Sequence, residues 1–165
     1  DTVAGHPIVM TRPNADTRNT DILERLERFA ADRPHVRLVS NLGTQAYFSL
    51  MSQAAVMVGN SSSGIIEAAS FQLPVVNIGL RQEGRPRSGN VVDCDDSAAG
   101  IEAALKRALS AEFREYCRGV QNIYGDGHAA ARIVNVLRTV ELNERLLIKR
   151  FADCEGGLPE LSSPF

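Results

Sequence analysis

The sequence predicts an α/β protein, a parallel sheet with helices on both faces. Three observations lead there. Short apolar runs of strand length recur at residues 8–10, 36–39, 55–58 and 75–78. Segments with helical spacing of apolar residues stand between them, and the connections are short. Strands that alternate with helices in this way pair in parallel and are covered on both sides, with right-handed crossovers.

Each element follows from local signals. The strand at 8–10 is stopped by Arg12-Pro13-Asn14, and Ile22, Leu23, Leu26 and Phe29 then mark the apolar stripe of a helix over 21–31. Residues 36–39 form the second strand. Thr44 is expected to cap a helix carrying Tyr47, Phe48, Leu50 and Met51, and 55–58 is the third strand. After a serine-rich turn, 65–71 supplies a short helix, Pro74 restarts the chain, 75–78 is the fourth strand and Val91-Val92 a fifth. The rest is helical: 97–109 behind a polar cap, 112–118, and a longer helix from His128 to about residue 150 with Ile133, Val134, Leu137 and Leu142 as its stripe. The expected organisation is one domain over 1–150 and a loosely ordered tail at 151–165, where two glycines and two prolines occur without periodicity.

Composition narrows the function classes. The chain has 165 residues, 44% hydrophobic and 23% charged, enough for one well-buried core. A formal net charge of -2 gives no global attraction to nucleic acid or anionic lipid, so any phosphate recognition has to be local. No run approaches the roughly 18 apolar residues of a membrane span, and the N-terminus lacks a basic segment followed by an apolar one. A soluble, cytoplasmic protein with neither nucleic acid nor membrane as partner is expected. Cys94, Cys117 and Cys154 are odd in number and widely spaced, which suits small apolar residues and neither a disulfide framework nor a zinc site.

Parallel sheets take ligands outside the carboxyl ends of their strands. That rule gathers Arg12 to Asn14, Asn41 to Gly43, Asn60 to Gly64 and Gly79 to Arg87 along one rim. Within it, Gly59-Asn60-Ser61-Ser62-Ser63-Gly64 leaves a strand and opens a helix, so that backbone N–H groups and hydroxyls face outward at the positive end of a helix dipole. Phosphate oxygens suit that arrangement. Glu67 follows Ser63 by about one turn, where a carboxylate suits sugar hydroxyls. The same residues are also ordinary helix caps. The segment from Gly79 to Gly89 carries Arg81, Arg85 and Arg87, whose planar donor forks fit phosphate, or which form a solvated loop paired with Glu83. Tyr124-Gly125-Asp126-Gly127 marks a tight turn, and His128 beyond it is read as a solvent-facing cap. His6 and His35 show no ligand spacing, and the rim offers mainly Glu67 and Glu83 as acids, with no convincing acid-base pair.

Three of these segments, in this order, resemble the C-terminal half of the hydrolysing UDP-N-acetylglucosamine 2-epimerases: Gly59 to Ala68, Pro74 to Arg85, and Ile123 to Gly127. Thr11-Arg12-Pro13-Asn14-Ala15-Asp16 adds a weaker fourth. The resemblance implies a Rossmann-like half of a glycosyltransferase-B-type enzyme and a UDP-sugar substrate. It implies that Ser62, Ser63 and Gly64 meet the diphosphate, that Glu67 holds the ribose hydroxyls, and that Asn60 and Ser61 belong to the same substrate-binding turn. Tyr47 or Phe48 is implied near uracil, with Arg81 and Arg85 toward the phosphates or the cleft. The implied reaction is anti elimination of UDP across C1 and C2 followed by water addition, releasing N-acetylmannosamine. It requires no metal or redox cofactor. Asn60-Ser61-Ser62-Ser63-Gly64 and Arg81-Gln82-Glu83-Gly84-Arg85 resemble the hydrolysing branch, where the non-hydrolysing one shows Asp-Ser-Gly-Gly and Thr-Glu-Arg-Pro.

The departure from the family is large. Its N-terminal domain, with the acidic residues of proton transfer, and the opening strand with its histidine loop have no counterpart here. His6-Pro7 directly precedes a strand and is not equated with that loop's His-Pro pair, because no helix fits between. The expectation is a fragment that does not catalyse alone, with the N-terminal domain as partner and homo-oligomerisation left open. A non-catalytic sugar-nucleotide sensor and one half of a glycosyltransferase stay as alternatives.

Overall fold

A computed structural model describes residues 5–13 and 19–148. The chain forms two compact units, Asp1–Asp126 and Gly127–Phe165. The expected tail at 151–165 lies outside the described residues.

The first unit runs β1 (Ile8–Thr11), α1 (Asn19–Ala31), β2 (Val36–Val39), α2 (Gly43–Gln53), β3 (Met57–Gly59), α3 (Ser62–Ile66), a 3-10 turn (Ala68–Phe71), β4 (Val75–Ile78), β5 (Val91–Cys94), α4 (Ala98–Leu109) and α5 (Ala111–Arg118). All its strand pairs are parallel, as the alternating pattern predicted. They form two sheets where one was expected: β1 pairs with β2, Ile8 opposite Val36, and β3-β4-β5 form the other, with Met57 opposite Val75 and Val75 opposite Val91. Among the described strands only β4 is paired on both edges, and its Val75, Val76 and Asn77 are buried. On one side of the β3-β4-β5 sheet, Val76 and Val92 pack with Ala104, Leu105, Ala108, Phe113 and Cys117 of α4 and α5. Met51 of α2, Ala68, Leu73 and Val75 form a second cluster, with Tyr47, Phe48, Met57 and Phe71 against it.

Several helix ends differ from the expectation. Thr44 does not cap α2; the N-cap position is Leu42, without a side-chain bond, and Asn41 Oδ1 accepts the Gly43 N–H at 2.7 Å. Asparagine two residues ahead of a glycine makes such a turn by itself. The short helix expected at 65–71 starts earlier, at Ser62 behind the Ser61 cap, and tightens into the 3-10 turn after Glu67. In the second unit, the long helix expected from His128 is two: α6 (Ala129–Thr139) and α7 (Glu144–Leu147). Val140 adopts extended backbone and Asn143 caps the new helix by accepting from the Leu146 N–H, so a local polar cap interrupts the period. Ile133, Val134, Leu137 and Leu142 are all exposed. Among the described residues no helix is long and apolar enough to cross a membrane.

Candidate functional site

The serine-rich turn begins at Gly59, the last residue of β3, whose φ of +144° falls where side-chain-bearing residues are strained. The chain changes direction there. Ser61 then takes extended backbone, and its hydroxyl accepts the Ser63 N–H at 3.3 Å, satisfying one donor that the start of α3 leaves unpaired. The cap role weighed from the sequence is therefore present at Ser61. Gly64 is buried, and a Cβ on it would stand 2.9 Å from Val75 Cγ1, so glycine lets α3 lie directly on β4. Asn60 and Ser61 remain exposed, and Ser62 is half-buried.

A hydrogen-bonded chain of side chains crosses the turn. The Tyr47 hydroxyl donates to Ser63 Oγ at 2.9 Å, and Ser63 Oγ donates to Glu67 Oε2. All three residues are half-buried. Glu67 thus holds a fixed place one turn beyond Ser63, and α2 contributes its tyrosine to the same spot. Phe48, the other aromatic considered, packs on Phe71 with ring centroids 5.3 Å apart and belongs to the core cluster.

The arginine-bearing loop between β4 and β5 meets this turn through a residue the sequence reading passed over. Gln82 is buried, and its Nε2 donates to the Asn60 carbonyl at 2.9 Å. The loop is fixed at its far end too. Arg87 pairs with Asp93 at 2.9 Å, and Asp93 Oδ1 also accepts from Asn77 Nδ2 at 2.6 Å. Arg87 is thereby committed to Asp93 of β5, where the sequence suggested Glu83 as the pairing acid. Arg85 and Arg81 are exposed on the loop.

The turn around Tyr124 ties both segments together. The Tyr124 hydroxyl donates to the Pro86 carbonyl at 2.9 Å, and the Ile123 N–H donates to the buried Ser88 hydroxyl at 3.2 Å. Asn122 Nδ2 donates to the Ile66 carbonyl and to Ser70 Oγ, both at 2.8 Å. Three segments between residues 60 and 124 converge through backbone-directed side-chain bonds of the kind that fixes irregular loops. Gln82 and Asn122 carry no periodicity and no charge. Their only sequence signal is a neutral amide in a connecting loop.

The other rim residues are not joined to this site by hydrogen bonds among the described residues. Arg12 pairs with Glu27 of α1 at 3.5 Å, and Asn41 turns back on Gly43; Asn14 to Asp16 of the fourth motif lie outside the described residues. His128 is exposed at the N-cap of α6, but its side chain makes no cap bond. The Cys94 thiol is pushed up from its ordinary range by burial and by the Asp95 and Asp93 carboxylates, and the Cys117 thiol by burial. Neither has the depressed value of a nucleophilic cysteine.

A model of the UDP-N-acetylglucosamine 2-epimerase family matches residues 1–138. The chain belongs to that family. It is 40% identical over 142 residues to a hydrolysing UDP-N,N'-diacetylbacillosamine 2-epimerase of Legionella pneumophila, covering 86% of this chain and 36% of the relative. It is 36% identical over 155 residues to a hydrolysing GDP/UDP-N,N'-diacetylbacillosamine 2-epimerase of Campylobacter jejuni, covering 93% and 40%. A UDP-N-acetylglucosamine 2-epimerase of Neisseria meningitidis is 30% identical over 112 residues, 66% of this chain and 28% of the relative. A crystal structure of a UDP-N-acetylglucosamine 2-epimerase superposes with a TM-score of 0.50 at 16% identity, over 83% of this chain and 42% of that one, a likeness of fold. The chain spans 36% to 40% of the length of the first two relatives.

Proposed function

We propose that this chain is the UDP-binding part of a hydrolysing 2-epimerase that converts UDP-N-acetylglucosamine to N-acetylmannosamine and UDP. The observation that carries the reading is the convergence of the serine-rich turn, the arginine loop and the Tyr124 turn in a chain of this family. In this reading Ser62 and Ser63 take the diphosphate, the Ser63 hydroxyl leaving Glu67 for a phosphate oxygen as Glu67 turns to the ribose, with Asn60, Ser61 and Gly64 shaping the turn. Glu67 accepts from the ribose hydroxyls, and Tyr47 borders the base.

The chemistry asked of these residues concerns the leaving group. Elimination removes the proton on C2 and breaks the bond from C1 to the phosphate oxygen, leaving the glycal and placing the electron pair on UDP. Fixed N–H donors together with Arg81 and Arg85 stabilise the charge that develops on the β-phosphate. Water then adds to the glycal and releases N-acetylmannosamine. The proton-transfer groups belong to the partner N-terminal domain, so this chain alone binds without turning over.

Calorimetry tests the binding reading. UDP is expected to bind, and Glu67→Ala to weaken it by about tenfold, the loss of a charge-assisted hydrogen bond. Undiminished affinity in that variant removes Glu67 from the site. A second substrate reading is favoured by the names of the relatives at 40% and 36% identity, which specify a 2,4-diacetamido sugar. With the N-terminal region supplied in trans, the sugar released decides between them, and binding without turnover supports a sensor instead.

A further inference from the structure

We propose that Gln82 is a positioning residue: it holds the serine-rich turn in the geometry that receives the diphosphate, at a cost to the stability of the fold. The inference rests on the UDP-binding reading above. Gln82 is 4% exposed although Arg81 and Glu83 on either side are exposed, so its side chain alone of the three turns inward. Its one side-chain hydrogen bond among the described residues, from Nε2 to the Asn60 carbonyl at 2.9 Å, spans 22 residues of sequence. Asn60 immediately precedes Ser61, the cap of α3, and follows Gly59, which ends β3 at a positive φ. Fixing the carbonyl of residue 60 therefore fixes the peptide plane it shares with the Ser61 N–H, and with it the approach of the residue whose hydroxyl caps α3.

The other half of the amide explains the cost. Gln82 Oε1 is buried and accepts no hydrogen bond among the described residues. A buried acceptor without a donor is unfavourable. Flipping the amide does not relieve it, because Oε1 would then face the Asn60 oxygen, acceptor against acceptor. A methionine of similar length would fill the same space with no leftover acceptor, and Asn60, an exposed residue, could turn its carbonyl to water. A side chain that burdens the fold while its single bond reaches a binding turn fits the exchange of stability for function. The bond also couples the two motifs, since Gln82 stands in the loop of Arg81 and Arg85 and holds Asn60, next to the serines. The loop is in this view a fixed wall of the site, held by Gln82 at one end and by Tyr124 at the other.

The experiment compares wild type with Gln82→Met, and with Gln82→Leu as a second apolar replacement. Without ligand, amide hydrogen exchange over residues 59–64 is expected to quicken by about fivefold or more, as local opening becomes easier. Unchanged exchange overturns the proposal. The thermal midpoint should stay level or rise. Affinity for UDP should fall by about five- to twentyfold while affinity for uridine stays within about twofold, because only the phosphate contacts depend on the turn. A lower midpoint with UDP and uridine affinities falling together marks a merely structural residue and also overturns it. Absence of UDP binding by the wild type would end the UDP reading instead, and the exchange rates would still decide whether Gln82 holds the turn.

Discussion

The segment β1-α1-β2 and the segment from β3 to α5 are built from the same kind of sequence, yet they are buried very differently. In the first, Val9 is 42% exposed, Ile22 47% and Phe29 38%, and Val36 is the one buried apolar residue among those described. In the second, Ile65, Val76, Ala108 and Cys117 are all at 0%. Parallel strands are stable when both faces are covered and both edges paired, and β4 meets both conditions while β1 is paired on one edge. Amphipathic pattern alone therefore did not decide burial; neighbours did. The candidate site is assembled on the well-covered segment, where a side chain placed by packing stays placed.

The largest expected effect would break that contrast if it failed. Ile65→Ala should destabilise by about 2–5 kcal/mol, whereas Ile22→Ala, on the exposed helix, should stay within about 0.5 kcal/mol. Denaturant midpoints at matched slopes measure both. Equal losses would mean that the two segments are alike in solution.

A smaller effect sharpens the account of how α3 meets β4. Gly64→Ala brings a methyl group against Val75 Cγ1 and should cost about 1–3 kcal/mol. In a double-mutant cycle with Val75→Ala the double variant should lose less than the sum of the two single losses, since the second change empties the space the first needs. Simple additivity would place the strain elsewhere.

The smallest concerns the cap of α4. Asp95 accepts from the Ser97 N–H and hydroxyl, at 3.0 and 2.6 Å, and these bonds lower its carboxyl below the ordinary value of 3.8. A carboxyl lowered on folding adds stability above its unfolded value, and the gain is lost as pH falls through the folded one. Asp95→Ala should therefore melt slightly below wild type at neutral pH. The two should converge as pH falls below 3.8 and through the lowered folded value. A gap that widens in acid would contradict the assignment.

Much of the fold was legible because its signals are local. Apolar runs located all five strands, and Ser97 announced α4. The split into two sheets was not legible, since strand neighbours are set by long-range pairing that periodicity does not encode. The break after Thr139 was missed because the apolar spacing continues through Leu142 while Asn143 starts a new helix. For the site, Ser63 and Glu67 were readable from their spacing, and Tyr47 does reach them. Gln82 and Asn122 were not readable, because an amide that bonds a distant carbonyl looks like any loop residue until the chain folds.

Gly59 has a bearing on protein engineering. Because its backbone occupies the territory of residues without a β-carbon, a saturation library at this codon should return one amino acid nearly alone. Ser61, two codons on, should accept any short acceptor-bearing replacement such as aspartate, asparagine or threonine. Diversity aimed at retuning ligand preference is best spent on the second of these codons and withheld from the first.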